Sequence, residues 1–443
     1  MEILESALQM IAELPMCDHC LGRQFALLGY SMENESRGKA IKLLLTLKAH
    51  ESLLSKDESG VDLLKAIAVN GSFAPARDIL KLTRRAPRAK KKCFLCEKVF
   101  ENIDKLADKA VEKLSSFEFK TFLVGIELPL QVAEREDEFK AQFNVTHGES
   151  LKSQLSRDIG KRLHQITKKE VNFTNPDLVI LVKPFKKEVW LRVNPLFIAG
   201  RYRKLVRDIP QSRWLCQQCR GEGCKACGNT GKKYAESVEE LVGNPILDIT
   251  EGEEIAFHGA GREDVDARML GSGRPFVLEV KEPKKRFFNL QELQQTINRR
   301  SKGKVEVLGL RFVDKDVVRR LKKEETAEKV YLARMEFDRA VSDEELERID
   351  RTLSNATIHQ WTPQRVLHRR SNLMREKYIY KAKTKRLSPN RAEIHIHCQG
   401  GLYIKELVTG DEGRTEPSVA NILGVRAKPL QLDVVRVIAG EER

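Results

Sequence analysis

Gly261-Arg262-Glu263-Asp264-Val265-Asp266-Ala267-Arg268-Met269-Leu270-Gly271-Ser272-Gly273-Arg274-Pro275-Phe276 sets three carboxylates among three arginines, with glycines at both ends. On composition alone a solvated loop accounts for it, since acid and base alternate on many surfaces. Its neighbours argue for more. Glu254-Ile255-Ala256-Phe257-His258 before it is a short apolar run, and Pro275-Phe276-Val277-Leu278-Glu279-Val280 alternates as a half-buried strand does. A charged turn joining two strands of one sheet puts carboxylates at a sheet edge or cleft. There a nearby arginine keeps a partly desolvated aspartate ionised, and so available as a nucleophile or base.

The whole chain, 443 residues with a formal net charge of +15, is long enough for two or three domains and basic enough to favour polyanions. Nucleic acid is the first expectation and an anionic membrane the second. Against the membrane, no apolar run approaches the roughly twenty residues needed to span, and the N-terminus opens on an acidic amphipathic pattern rather than a signal segment. A cytosolic protein is expected. Eight of the nine cysteines fall in four C-x-x-C pairs, which in a long unsecreted chain suggests metal before disulfides.

Ile3, Ala7, Leu8, Ile11 and Leu14 recur at helical spacing up to Pro15, and Cys17-Asp18-His19-Cys20 follows at once. A second pair, Cys93 and Cys96, comes after a helical stretch and a basic loop. Four thiolates from two such knuckles make a tetrahedral zinc site, with His19 a bystander. The basic loop, Lys81 through Lys92 with Arg84, Arg85, Arg88, Lys90 and Lys91, is either solvated or a phosphate contact. From Phe117 the pattern turns to mixed α and β. Strands are expected at 122–126, 178–182 and 189–193, with a long helix carrying Leu151, Leu155, Ile159, Leu163 and Ile166 on one face.

Gly200-Arg201-Tyr202-Arg203-Lys204 interleaves cations with an aromatic, as suits a segment that grips a nucleic-acid backbone and stacks on a base. Cys216, Cys219, Cys224 and Cys227 then lie among glycines that allow tight turns with amides aimed at sulfur. A second zinc knuckle, inserted between domains, is the expectation, although only four residues separate the two pairs.

Beyond Ser237 a single larger domain is expected. Its signals are a helix near 290–298, alternating strands at 305–311 and 329–337, and a cationic segment containing Arg365, Arg369 and Arg370 that is either an exposed hairpin or an RNA grip. His395 and His397 share one strand face, more readily as exposed side chains than as metal ligands. Tyr331 falls on the Ala333, Met335 and Phe337 face of its strand, where its hydroxyl needs a partner. Lys405 lies in Gly400-Gly401-Leu402-Tyr403-Ile404-Lys405-Glu406-Leu407, read as a strand end and an apolar stretch, and should seek a carboxylate.

Gly-Arg-Glu-Asp-Val-Asp-Ala-Arg from 261, Lys-Val-Tyr-Leu-Ala from 329 and Gly-Leu-Tyr-Ile-Lys-Glu-Leu from 401 resemble, in that order, the three active-site motifs of pseudouridine synthases. The paired N-terminal knuckles, Gln-x-Thr-Pro-x-Arg-Val-x-His-Arg-Arg from 360 and Gly-Asp-Glu-Gly-Arg-Thr-Glu-Pro-Ser from 410 extend the resemblance over nearly the whole chain. The match is closest to the THUMP-containing, archaeal-type tRNA pseudouridine 54/55 synthases. The resemblance implies an α+β protein. Residues 1–116 would be a helical, zinc-binding region, 117–205 a THUMP-like RNA-binding domain and 206–236 a linker with the cysteine-rich knuckle. Residues 237–443 would be a catalytic domain with a mixed, largely antiparallel sheet flanked by helices.

It further implies Asp264 as nucleophile, with Asp266 as the rival choice, Tyr331 against the target nucleotide and Lys405 paired with Asp264. Arg262 and Arg268 would help hold that carboxylate, and Tyr403, Ile404 and Leu432 would complete the substrate pocket. Arg201, Tyr202, Arg203, Lys204, Arg365, Arg369 and Arg370 would contact RNA. The expected partner is tRNA, acting on a monomer with no catalytic cofactor and structural zinc at one or both cysteine sets. Two competing readings are a non-catalytic, zinc-stabilised RNA-binding or RNA-folding protein and a THUMP-linked RNA methyltransferase or thiolase. The glycines at 259, 261, 271 and 273 lack the spacing of a dinucleotide site, which counts against the latter.

Overall fold

The structure, a computed structural model, describes residues 3–85, 91–323 and 327–438, with the side chains of residues 322, 323 and 369 outside the described set. Arg88 and Lys90 of the basic loop lie outside the described residues. The chain divides into two compact units, Met1–Asn194 and Pro195–Arg443.

The first unit opens with five helices, Ile3–Glu13, Asp18–Gly22, Asn34–Leu54, Ser59–Val69 and Ala74–Leu82. Helix Ile103–Leu114 leads into strand β1 (Thr121–Ile126), helices Leu130–Gln142 and Leu151–Thr167, and strands β2 (Glu170–Val171), β3 (Leu178–Lys183) and β4 (Glu188–Val193). β1 runs parallel to β2 and β3, and β4 closes the sheet antiparallel to β3, giving the order β2-β1-β3-β4. Helix Leu151–Thr167 begins where the Ser150 side chain accepts from the Ser153 amide, and it buries Leu151, Leu155, Ile159 and Leu163. One continuous apolar core runs from Ala7 through Cys20, Cys96 and Leu106 to Val193. The expected border between residues 116 and 117 therefore falls inside a shared core.

Among the described residues the second unit is built on ten strands: β5 (Leu196–Lys204), β6 (Glu254–Gly259), β7 (Ala267–Lys281), β8 (Val305–Val313), β9 (Glu328–Phe337), β10 (Ala356–Trp361), β11 (Met374–Ser388), β12 (Arg391–Cys398), β13 (Thr415–Glu416) and β14 (Ala427–Ile438). Their order is β13-β10-β11-β12-β9-β14-β7-β5-β8, with β6 also on β7. Among the described residues only the β14–β7 pairing is parallel and the rest are antiparallel, so the sheet is mixed and largely antiparallel, as expected. Helices Val238–Thr250 and Leu290–Arg300 pack one core, and Asp343–Leu353, Ile404–Thr409 and Val419–Leu423 pack another. Ser342 and Glu345 close a reciprocal capping box at the start of Asp343–Leu353.

Two expectations are corrected here. β5 hydrogen-bonds to β7 on one side and β8 on the other, so residues 196–204 are a central strand of the second unit and not the end of a domain 117–205. The cysteine-rich stretch accordingly lies within the second unit, between β5 and helix Val238–Thr250, rather than in a linker between domains.

β7 positions the site. Its first residues, Ala267 to Met269, pair with Leu432 to Val434 of β14, while Phe276 to Lys281 pair with β6. The same edge of β7 thus changes partner midway, and Ala260–Asp266 crosses the gap where the two partners part. The expected long turn is shorter than the sequence suggested because Ala267 to Arg274 are already strand. Gly271 makes this possible. Its φ is +58°, and a Cβ there would lie 1.8 Å from the Val435 carbonyl oxygen, so only glycine fits against β14.

Candidate active site

The connection Ala260–Asp266 is held from below by buried polar groups. Glu263, essentially without solvent contact, accepts from Arg274 Nε at 2.9 Å and from the Tyr202 hydroxyl at 2.9 Å. Arg274 also donates to the Ala260 carbonyl at 2.7 Å, and Gln211 Nε2 donates to the Gly261 carbonyl at 2.9 Å. Lys204, fully buried, donates from Nζ to the carbonyls of Ile209, Asp264 and Val265 at 2.9, 3.1 and 3.0 Å. Burial outweighs the surrounding carboxylates and lowers the Lys204 ammonium's pKa. Each of these turn carbonyls therefore meets a donor, which fixes the backbone of the connection.

On that backbone the Asp264 side chain faces a cleft and Asp266 turns to solvent. Asp264 is 34 % exposed, with Oδ2 3.2 Å from Arg365 Nη2 and 3.2 Å from Lys405 Nζ. Asp266 is 59 % exposed and takes the same Lys405 ammonium at 2.7 and 2.8 Å. Partial burial pushes the Asp266 carboxyl up, but Lys405 and then Arg365 more than offset this and hold it below its ordinary value. Only Asp264 of the two lines the cleft, together with Arg262, Tyr331, Arg365, Arg370, Tyr403, Ile404, Lys405 and Leu432. Residues 264, 331 and 405 meet because β7, β14 and β9 are neighbours and helix Ile404–Thr409 packs against β14.

Tyr331 sits on β9 opposite Ile396 on one side and Val434 on the other. Burial, reinforced by nearby Cys398, raises its phenol well above the ordinary value, so it keeps its proton. Ile404 and Leu432 are buried apolar walls. Lys405 lies on a helix rather than at a strand end, carried there by the turn at Gly401, whose φ is +92°.

Several expected contacts are placed otherwise. Arg268 makes a two-pronged pair with Asp433, at 2.9 and 2.7 Å, and does not line the cleft with Asp264. Arg262 is exposed on the cleft and, among the described residues, has no ion-pair partner. Tyr202 and Lys204 are core groups, not RNA contacts: both side chains are wholly buried, Tyr202 against Glu263 and Gln211 and Lys204 against the carbonyls of Ile209, Asp264 and Val265. Arg201 donates to the carbonyls of Ser272, Gly273 and Val437, and Arg203 to Gly271 and Glu306, so both are spent inside the sheet. Arg365 is engaged by Asp264 and Glu406. Arg370 donates to the Tyr403 hydroxyl at 2.8 Å, and the side chain of Arg369 is outside the described set. In the basic loop, Lys81, Arg85 and Lys92 are paired with Asp78, Glu58 and Glu97.

Arg375 and Lys377, in the sequence part of the cationic segment read as an exposed hairpin or an RNA grip, line the cleft, whereas Glu263, Arg274 and Gln211 beneath the Asp264 turn and Glu406 behind Arg365 were passed over. Arginine at 274, between Gly273 and a strand, was the one local signal: a charge so placed must be paired. With Arg262 and Arg370, Arg375 and Lys377 form a cationic rim that has no carboxylate partner among the described residues.

Away from the cleft, two sets of four thiols could hold metal: Cys17, Cys20, Cys93 and Cys96, and Cys216, Cys219, Cys224 and Cys227. In the second set sulfurs lie 3.7 to 3.9 Å apart, and Cys17 and Cys96 are 3.5 Å apart. A zinc–sulfur bond of about 2.3 Å in a tetrahedron separates sulfurs by roughly 3.8 Å, whereas a disulfide needs about 2.05 Å. The geometry suits a cation. Amides of Gly223, Cys224 and Gly231 point at sulfur in the second set, and Arg23 Nη1 reaches Cys20 Sγ at 2.8 Å in the first. His397 instead pairs with Glu328 at 2.9 Å.

Two family descriptions match the chain: "Pus10, C-terminal" over residues 197–438 and "Pus10 THUMP domain, archaeal" over residues 106–183. Among curated relatives, the "tRNA pseudouridine synthase Pus10" of Methanocaldococcus jannaschii is 42% identical over 97% of this chain and 93% of its own. Those of Methanothrix thermoacetophila and Thermofilum pendens are 41% and 40% identical over 98% and 95% of this chain, covering 94% and 92% of theirs. On this evidence, from a THUMP segment joined to the catalytic sheet and its three converging motifs, the chain belongs to the Pus10 family.

Proposed function

We propose that the chain is a tRNA pseudouridine synthase that isomerises uridine in the TΨC arm, at position 54, 55 or both, with Asp264 as nucleophile. The observation that carries the reading is the placement of Asp264 alone, of the two aspartates, on a cleft walled by Tyr331, Ile404 and Leu432 and held by two cations. The reaction breaks the N-glycosidic bond, turns the uracil and joins C5 to the sugar, and the proton lost from C5 ends on N1. Atoms and electrons balance without an oxidant or cofactor.

Asp264 forms the transient covalent bond, at C1′ of the sugar or C6 of the base, and leaves as carboxylate when the C-glycoside forms. Arg365 and Lys405 hold it in place beforehand. Tyr331, its phenol raised by burial, stacks on the base. Extruding a nucleotide from a folded arm costs a few kcal/mol. Arg262, Arg370, Arg375 and Lys377 supply the compensating grip on neighbouring phosphates.

Both cysteine sets fit structural zinc, which when bound ties together the segments that carry its thiolates. Free thiols available as ligands suit a reducing compartment, in keeping with a cytoplasmic protein acting on tRNA.

Incubation with an unmodified tRNA transcript, followed by carbodiimide treatment and primer extension, should give stops that report pseudouridine in the TΨC arm. Product that survives Asp264→Ala would remove the nucleophile assignment. Tight tRNA binding with no modified base would favour an RNA-binding protein, and a methylated or thiolated product the other competing reading.

A further inference from the structure

Arg365 joins two carboxylates across the cleft. Its Nε donates to Glu406 Oε1 at 2.6 Å, its Nη2 lies 3.2 Å from Asp264 Oδ2, and its guanidinium stands 5.9 Å from the centre of the Tyr403 ring. Glu406 is buried on helix Ile404–Thr409, and its other oxygen has no hydrogen-bond partner among the described residues. Arg365 is the one cation paired with it among the described residues. The turn that carries Arg365, Gln364–Arg369, is itself pinned. The Gln364 amide donates to Asp411 at 3.1 Å, its side chain to Glu412 at 2.8 Å, and Val366 is buried.

Arg365 and Lys405 meet the same oxygen of Asp264, Oδ2, each at 3.2 Å. Oδ1 is left without a partner among the described residues and lies on a carboxylate that lines the cleft. A carboxylate with both oxygens engaged is a poor nucleophile, and one with neither engaged is free to rotate. Two donors converging on one oxygen solve both difficulties.

We propose that Arg365, fixed by Glu406, is a positioning residue that orients Asp264 with Oδ1 presented to the substrate, and is not a contact to the RNA backbone. The inference rests on the reading of Asp264 as nucleophile. A guanidinium suits the task better than an ammonium because its planar fork reaches two carboxylates through separate nitrogens at a fixed angle. Misplacing a reacting group by about 1 Å costs on the order of 10²-fold in rate.

The test measures the single-turnover rate at saturating full-length protein on an unmodified tRNA transcript, alongside the Kd for that tRNA and its dependence on salt. Arg365→Ala should lower the rate about 10²-fold while Kd and salt slope stay as in the parent. Arg365→Lys, which keeps a charge beside Oδ2, should recover part of the rate. Glu406→Gln touches neither Asp264 nor the cleft and should slow the reaction about 10-fold through Arg365 alone. The double variant Arg365→Ala with Glu406→Gln should be no slower than Arg365→Ala, since both act through one contact.

A raised Kd and a salt slope reduced by about one, with the saturated rate kept, would make Arg365 a phosphate contact and overturn the proposal. So would a parental rate in Glu406→Gln. If Arg365→Ala does not fold because Glu406 is left buried and unpaired, the lysine and glutamine variants decide the matter by the same readings. An inactive Asp264→Ala beside fully active Arg365 and Glu406 variants would sink this inference and leave the nucleophile reading standing. An active Asp264→Ala would sink both.

Discussion

Glu263 and Arg274 form an ion pair shut off from solvent, 2.9 Å between Oε2 and Nε, under the turn that presents Asp264. The pair holds the turn from two directions, since Arg274 also binds the Ala260 carbonyl while Glu263 collects the Tyr202 hydroxyl. Burial works against the Arg274 cation, but Glu263 more than compensates and leaves its pKa raised.

Breaking that pair from one side strands a buried charge. Glu263→Ala should therefore destabilise the second unit by about 3–5 kcal/mol, read from chemical denaturation followed by circular dichroism. Replacing Lys204 is the finer probe. Lys204→Met keeps the volume and apolar stem but frees three carbonyls, two of them at residues 264 and 265. The single-turnover rate should fall at least 10-fold, the order expected of a displaced reacting group, with tRNA affinity unchanged. A loss of affinity with the rate intact would return Lys204 to the role its sequence setting suggested.

The two cysteine sets should respond differently to loss of metal. Cys20 and Cys96 are wholly buried in the core of the first unit, while Cys219, Cys224 and Cys227 sit half-buried on a small excursion of the second. Elemental analysis should find one zinc for each set. Cys20→Ser should lose one zinc and lower the unfolding temperature sharply, because binding free energy at a core site is folding free energy. Cys224→Ser should lose the other and leave the far-ultraviolet spectrum and the main transition near those of the parent. Zinc-free protein with parental stability would dismiss both sites.

Much of the second unit was legible because its strands carry their burial in alternation. In β9, Lys329, Ala333, Met335 and Phe337 are buried and Arg334 is exposed, while in β12 Ala392, Ile394, Ile396 and Cys398 are buried. The site's three principal residues were found through family resemblance, since nothing local to Asp264 says that residues 331 and 405 will meet it. What misled was charge. Arg201-Tyr202-Arg203-Lys204 reads as a surface grip because cations are assumed to seek water. Yet Ile198, Tyr202 and Lys204 are all wholly buried on β5, and the groups that pair with the last two come from residues 209, 211 and 263–265. Partners that distant leave no trace in a short window. Gly271 and Gly273 looked like turn residues for a similar reason, their positive φ serving close passage past β14 and β5 within a strand.

Asp433 provides a pH prediction. Burial pushes its carboxyl up, but Arg268 and Arg207 overcome this and hold it below the ordinary value, and its side chain is only 7 % exposed. An unfolded Asp433 takes its proton near pH ~3.9, before the folded one does, so protonation favours unfolding as pH falls through that interval. The stabilisation is complete above the unfolded value and disappears as pH drops through the folded one. Asp433→Asn should melt at a lower temperature than the parent at neutral pH, with the gap closing as the pH falls below the ordinary aspartate range. Parallel melting curves over the whole range would show that Asp433 carries no linked proton.

The division between cations spent inside the sheet and cations left on the cleft makes a final prediction about salt. Arg201 and Arg203 satisfy backbone carbonyls and Glu306, whereas Arg262, Arg370, Arg375 and Lys377 line the cleft with no carboxylate opposite them among the described residues. Each lysine or arginine that neutralises a phosphate releases about one counterion, and so contributes close to one unit to the slope of log K against log salt. Arg370→Ala and Lys377→Ala should each weaken tRNA binding and flatten that slope by about one, while the saturated single-turnover rate stays near parental. Arg201→Ala should leave the slope alone and lower stability, because it strips donors from the carbonyls of Ser272, Gly273 and Val437. Filter binding at several salt concentrations separates the two groups. If Arg201→Ala flattened the slope and Arg370→Ala did not, the RNA would have to approach along β5, and the cationic rim of the cleft would need another ligand.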